Sequence, residues 1–143
     1  MPGLVCVVDD DASFRTAIER RLKFAGYDVA TYSSAQQLLD RLPDAETTGC
    51  ILLDVQMPGV SGPELQSRLI ELGSVLPIVF VTGHADTQAT VRAIKLGAED
   101  FLTKPASSAQ LIDAIERARE QEAALEAIVV RLEAIRAGAR RDG

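Results

Sequence analysis

Short aliphatic runs alternate along the chain with stretches of helical periodicity, and that alternation restricts the fold to a parallel α/β sheet. Leu4-Val5-Cys6-Val7-Val8, Cys50-Ile51-Leu52-Leu53 and Ile78-Val79-Phe80-Val81 are unbroken apolar runs of strand length, as expected of strands covered on both faces. Asp28 to Tyr32 and Asp100 to Thr103 supply two shorter strands. After the first strand, Phe14, Ala17, Ile18, Leu22 and Ala25 recur at helical spacing, and Gly26 marks a stop. Ser33-Ser34 offers an N-cap to a helix from Ala35 to Leu42, which Pro43 ends, and Asp44 to Gly49 reads as a polar loop. Pro63 to Leu72 carries Leu65, Leu69 and Leu72 on one face; Asp86 to Leu96 is the next helix, stopped at Gly97, and a last helix starts near Ser107. Strict βα order of this kind predicts a doubly wound sheet of five parallel strands with helices on both faces.

All strands of such a sheet present their carboxyl ends at one edge, where ligands bind. In this chain those ends carry chemistry. The first strand runs into Asp9-Asp10-Asp11, the third into Asp54, the fourth into Thr82-Gly83 and the fifth into Lys104-Pro105. Carboxylates, a hydroxyl and an ammonium from distant parts of the chain are therefore expected in one pocket. Two adjacent carboxylates and a third from the next strand suit a hard divalent cation such as magnesium, which takes oxygen ligands and keeps some waters. Lys104 relieves the same repulsion. One acid of the triplet also suits the N-cap of the helix at Ser13, but capping explains neither a pair nor the matched Asp54.

The whole-chain numbers fit one ordinary core: 143 residues, 47% hydrophobic and only 4% aromatic. No run is long and apolar enough for a membrane span, and the N-terminus lacks a basic region followed by an apolar one, so a soluble, cytoplasmic chain is expected. A net charge of −6 argues against direct contact with a nucleic-acid backbone, which needs clustered Lys and Arg. Cys6 and Cys50 fall inside strands without metal-ligand spacing and read as small buried hydrophobes. From Arg119 to Ala137 there is neither Gly nor Pro, and Leu125, Ile128, Val129, Leu132 and Ile135 recur at spacings of three and four, with Glu122, Glu126, Arg131, Glu133 and Arg136 filling much of the rest. That is an amphipathic helix whose apolar stripe needs a partner. Gly138 and the residues after it read as a frayed end. The expected organisation is one domain over residues 1–120 and a helical extension or linker over 121–143.

Val8-Asp9-Asp10-Asp11, Leu53-Asp54-Val55-Gln56-Met57-Pro58-Gly59, Val81-Thr82-Gly83 and Phe101-Leu102-Thr103-Lys104-Pro105 together resemble the receiver (CheY-like) domain of two-component response regulators, over about residues 3 to 120. In overall run, including Val81-Thr82-Gly83-His84 and Gly97-Ala98-Glu99-Asp100-Phe101, the chain is most similar to receivers of nitrogen-fixation-type transcription regulators. The resemblance implies a flavodoxin-like sheet of strand order 2-1-3-4-5. It implies that Asp54 accepts a phosphoryl group from a sensor histidine kinase or small phosphodonor, and that Asp9, Asp10, Asp54 and the backbone carbonyl of Gln56 hold magnesium. Thr82 would hydrogen-bond the phosphoryl group, Lys104 would pair with it, Phe101 would be the aromatic switch residue and Lys104-Pro105 a cis peptide. The implied switch is a shift between two packings of the face made by the fourth helix, fifth strand and fifth helix, with homodimerisation through that face, the long helix or both. The cognate kinase is expected to read a surface around Arg15, Ile18 and Leu22. His84 and Gln56 occupy positions that tune dephosphorylation in the family.

Other classes fit less well. Phosphatases of the haloacid-dehalogenase type also use a strand-end aspartate with magnesium, but need a second aspartate two residues on, where this chain has Gln56. A P-loop is absent. The chain is therefore expected to be a phosphoacceptor rather than an enzyme, serving transcription through a DNA-binding domain that nothing after Ala137 could form. The alternative is a single-domain or degenerate receiver acting as an interaction module.

Overall fold

The computed structural model of the chain describes residues 3–42, 49–74, 76–83 and 87–142. Among the described residues five strands, β1 (Leu4–Val8), β2 (Asp28–Tyr32), β3 (Gly49–Leu53), β4 (Ile78–Thr82) and β5 (Asp100–Thr103), alternate with five helices. The helices are α1 (Ala12–Phe24), α2 (Ala35–Asp40), α3 (Gly62–Glu71), α4 (Thr87–Lys95) and α5 (Ser108–Asp142). All strand pairs are parallel and the order is β2-β1-β3-β4-β5. This is the flavodoxin-like arrangement the resemblance implied.

Strand periodicity divides the core in two. Val5, Val7, Cys50, Leu52, Val79 and Val81 point to one face, where Ile18 and Leu22 of α1 and Leu111 and Ile115 of α5 cover them. Cys6, Val8, Ile51, Leu53, Ile78 and Phe80 point to the other, under Leu38 of α2, Leu65 and Leu69 of α3 and Ala93 of α4. Successive residues of one strand thus serve opposite layers, which is why the three central runs are apolar without alternation. Cys6 and Cys50 are both buried inside these layers. Gly49 is required at the start of β3: its φ is +152°, and a Cβ there would stand 1.7 Å from the Leu4 carbonyl oxygen.

Several expectations shift. α2 stops at Asp40, before Leu42; Pro43 and the loop through Thr48 lie outside the described residues, as do His84 and the start of the fourth helix at Asp86. α3 starts one residue early, at Gly62, because Ser61 caps it by accepting from the Glu64 amide. Leu72, expected on one face of α3 with Leu65 and Leu69, follows the helix end and is exposed. Ile18 and Leu22 are buried in the core, so they form no part of a recognition surface; Arg15 alone of that trio keeps partial exposure. Ser107 begins α5 with a reciprocal cap, its hydroxyl accepting from the Gln110 amide at 3.1 Å while its own amide donates to Gln110 Oε1 at 2.9 Å. α5 then runs through Gly138 to Asp142 rather than fraying there. One internal glycine costs about 1 kcal/mol relative to alanine, too little to end a helix of 35 residues.

Candidate functional site

The parallel ladder delivers the polar residues to one edge. Val8 is paired with Leu53, and Thr82 with Thr103, so the next residues, Asp9, Asp54 and Lys104, emerge side by side. The ladder continues into them: the Asp9 amide donates to the Tyr32 carbonyl (3.1 Å), that of Asp54 to Val8 (3.0 Å) and that of Lys104 to Thr82 (2.8 Å). The backbones of Asp9, Asp54 and Lys104 are therefore fixed by the sheet itself. Gly62 supports this edge from below. A Cβ there would lie 2.2 Å from the Asp54 carbonyl oxygen, so only glycine lets α3 start against that backbone.

Asp9 and Asp54 are buried, at 1% and 8% exposure, and Asp10 is open to solvent. The three offer one oxygen each within 4.8 Å of one another. Lys104 Nζ donates to Asp9 Oδ2 at 2.7 Å and stands 3.8 Å from Asp54 Oδ2. The fully buried Thr82 hydroxyl and the Gln56 amide hydrogen-bond the Asp54 carboxylate. Burial nevertheless pushes the Asp54 carboxyl above the usual carboxylate range, and the Asp9 charge adds to that; Lys104, Thr82 and Gln56 pull it back only in part. The pocket thus holds more negative charge than its one lysine neutralises. Oxygen-only donors, clustered and short of positive charge, fit a hard divalent cation well.

Asp11 is the acid that caps α1, accepting from the amides of Ser13 (3.0 Å) and Phe14 (3.2 Å). The triplet therefore divides its labour, with Asp9 and Asp10 in the pocket and Asp11 at the cap. Phe101 is half-buried and packs on Phe80 with ring centroids 5.9 Å apart. The Lys104-Pro105 bond is cis. Two contacts escaped the sequence reading. The Arg15 guanidinium donates to the Asp9 carbonyl at 2.6 Å, and the Phe14 ring lies under Lys104 Nζ, 4.1 Å from its centroid. Phe14 stood in the helical apolar pattern and carried no signal beyond that of a core residue.

Residues 5–116 match the response regulator receiver domain. The chain belongs to that family. It is 42% identical over 121 residues to nodulation protein W and 43% identical over 119 residues to transcriptional regulatory protein FixJ, both from Bradyrhizobium diazoefficiens. These alignments cover 84% and 83% of this chain but 52% and 58% of the relatives, so the receiver spans little more than half the length of the curated relatives it matches. Among solved structures, full-length FixJ from B. japonicum superposes with a TM-score of 0.81 at 40% identity, covering 96% of this chain and 68% of that one. The response regulator StyR gives 0.83 at 39%, covering 95% and 68%.

Proposed function

We propose that this receiver is switched by phosphorylation of Asp54, the phosphoryl group coming from a sensor histidine kinase or small phosphodonor. The observation that carries the reading is the surroundings of Asp54: a buried carboxylate facing the Thr82 hydroxyl, the Lys104 ammonium and two further carboxylates. An Asp54 oxygen forms a bond to phosphorus as the donor's bond to phosphorus breaks, and the electron pair leaves with the donor; the product is an acyl phosphate. Such transfer needs little covalent chemistry from the protein beyond positioning and charge neutralisation. Asp9, Asp10, Asp54 and the Gln56 carbonyl would hold magnesium, which when bound supplies positive charge to the transferring oxygens. Lys104 exchanges part of its hold on Asp9 for a phosphoryl oxygen. Thr82 turns its hydroxyl from the carboxylate to the new group, and Phe101 follows into the space vacated.

The consequence reaches α4, β5 and α5. Val91 and Ile94 on α4 and Ile128, Leu132 and Ile135 on α5 are exposed apolar residues that a second copy would cover on phosphorylation. We assign residues 1–120 to the receiver and 121–143 to a helical extension leading to an output domain. Transcriptional control through a DNA-binding domain is the output best supported, because the relatives include a transcriptional regulatory protein of which the matched region covers 58%. The chain would act in the cytoplasm as a phosphoacceptor, not as a turnover enzyme; no helix among the described residues is long and apolar enough to cross a membrane.

Intact-protein mass after incubation with acetyl phosphate and magnesium tests the reading. A labile adduct of about 80 Da is expected in wild type and absent in Asp54→Ala. No adduct, together with no binding of beryllofluoride, would replace it with a phosphorylation-independent interaction module.

A further inference from the structure

Lys104 is held from two sides, and only one of them is a carboxylate. Its ammonium donates to Asp9 at 2.7 Å and lies over the face of Phe14, 4.1 Å from the ring centroid, well within the range at which a ring quadrupole attracts a cation. Phe14 is half-buried and packs against the core layer that α1 and α5 share. Its backbone is fixed by the Asp11 cap, whose carboxylate accepts from the Phe14 amide. A chain of contacts therefore runs from the third acid of the triplet, through the first turn of α1, to the Lys104 ammonium.

We infer that Phe14 is a positioning residue for Lys104, holding the ammonium beside Asp54 without using any of its hydrogen bonds. A lysine ammonium has three N–H donors. A further carboxylate at the position of Phe14 would occupy one of them and deepen the negative charge that already disfavours ionised Asp54. A methyl-bearing side chain would leave the ammonium free to swing into water. The aromatic face attracts the charge yet accepts no strong hydrogen bond, so the donors remain available to Asp9, Asp54 and an arriving phosphoryl oxygen. It also shields one side of the ammonium from solvent, which strengthens the interactions on the other. The inference rests on the phosphoacceptor reading for its consequence, but the placement itself does not.

The test compares Phe14→Leu and Phe14→Tyr, each in wild-type and Lys104→Ala backgrounds, on the full chain. Phe14→Leu should slow the appearance of the Asp54 adduct from acetyl phosphate and magnesium about fivefold, equivalent to roughly 1 kcal/mol. Phe14→Tyr, which keeps the π face, should stay within about twofold. In the Lys104→Ala background Phe14→Leu should change the residual rate no further, since the pair acts as one unit. Independently of any phosphorylation, the ε-methylene protons of Lys104 should show an upfield ring-current NMR shift in wild type and Phe14→Tyr that disappears in Phe14→Leu. Equal rates in wild type and Phe14→Leu, an undiminished effect without Lys104, or no ring-current shift would each overturn the inference. Absence of any Asp54-dependent adduct in wild type would instead overturn the phosphoacceptor reading on which the rate effect depends.

Discussion

Along α5, Leu111, Ala114, Ile115 and Ala118 lie in the core with β1, β3 and β4. Three turns further on, Ile128, Leu132 and Ile135 continue the same spacing of three and four with half or more of their surface in water; Ile135 is 62% exposed. One helix thus carries a single apolar rhythm through two environments. The inner half is held by the sheet, and by the Tyr27 hydroxyl donating to Glu116 on the outer side of the same turns. Among the described residues, Ile128, Leu132 and Ile135 of the outer half belong to neither layer of the core. Periodicity therefore sets which residues share a face, while the presence of something across from that face sets whether they contribute to stability. A helix rarely persists on propensity alone, which is why we assign the outer stripe to a partner chain.

Truncating one leucine in each half gives the largest expected contrast. Leu111→Ala removes a fully buried side chain from between α5 and the sheet and should lower the unfolding free energy by about 3 kcal/mol, within the range for core leucines. Leu132→Ala should cost a dilute monomer less than about 0.5 kcal/mol, as surface substitutions do, and should instead weaken phosphorylation-dependent self-association. Denaturant unfolding of both variants at low protein concentration measures the difference. Comparable losses would mean that the outer half is packed within its own chain, and the contrast would fail.

The sequence made the inner half and the pocket legible for the same reason. Strand ends in a parallel sheet have one destination, so Asp9, Asp54, Thr82 and Lys104 could be brought together from local patterns without knowing any distance. Phe14 was not legible, because an aromatic at helical spacing reads as core whether or not a lysine from 90 residues away lies on its face. Nor was the role of Gly62, which depends on the close approach of α3 to the Asp54 backbone, or the burial of Ile18 and Leu22, which removes them from any recognition surface. Helix ends were misjudged where a cap or a long run of good helix formers outweighed a single residue's preference, as at Ser61 and Gly138. Each of these depends on a neighbour distant in sequence or on a sum over many residues, and local pattern carries neither.

A second measurement sharpens the contrast through pH. Burial, then the hydrogen bond to Glu116 and its charge, push the Tyr27 phenol from 10.0 up to about 12, and burial pushes the Cys6 thiol from 9.0 to about 11. Both acids hold their protons more tightly folded than unfolded. The stability they contribute is complete below the unfolded values and is lost as pH rises through 9 to 11 for Cys6 and 10 to 12 for Tyr27. The Tyr27 contribution is on the order of 2 kcal/mol. Tyrosinate absorbance should accordingly rise together with loss of the fold rather than before it, and Glu116→Gln should move that rise to lower pH. A phenol that titrates near 10 in the intact fold would show that the Tyr27–Glu116 contact does not anchor the inner half.

The smallest effect belongs to Gly138, in the outer half. No heavy atom lies within 4 Å of where its Cβ would be, and the residue is exposed and helical. Gly138→Ala therefore adds a methyl that meets nothing, and it acts only by reducing the backbone freedom lost when the helix forms. Helix content by circular dichroism should rise slightly, and fraying of the last turns should fall by an amount worth up to about 1 kcal/mol. Global unfolding of the inner core should stay unchanged, because the outer turns open without it. If the substitution instead raised the unfolding midpoint of the whole chain, the two halves of α5 would be one cooperative unit. The outer stripe would then take part in the stability of the receiver itself.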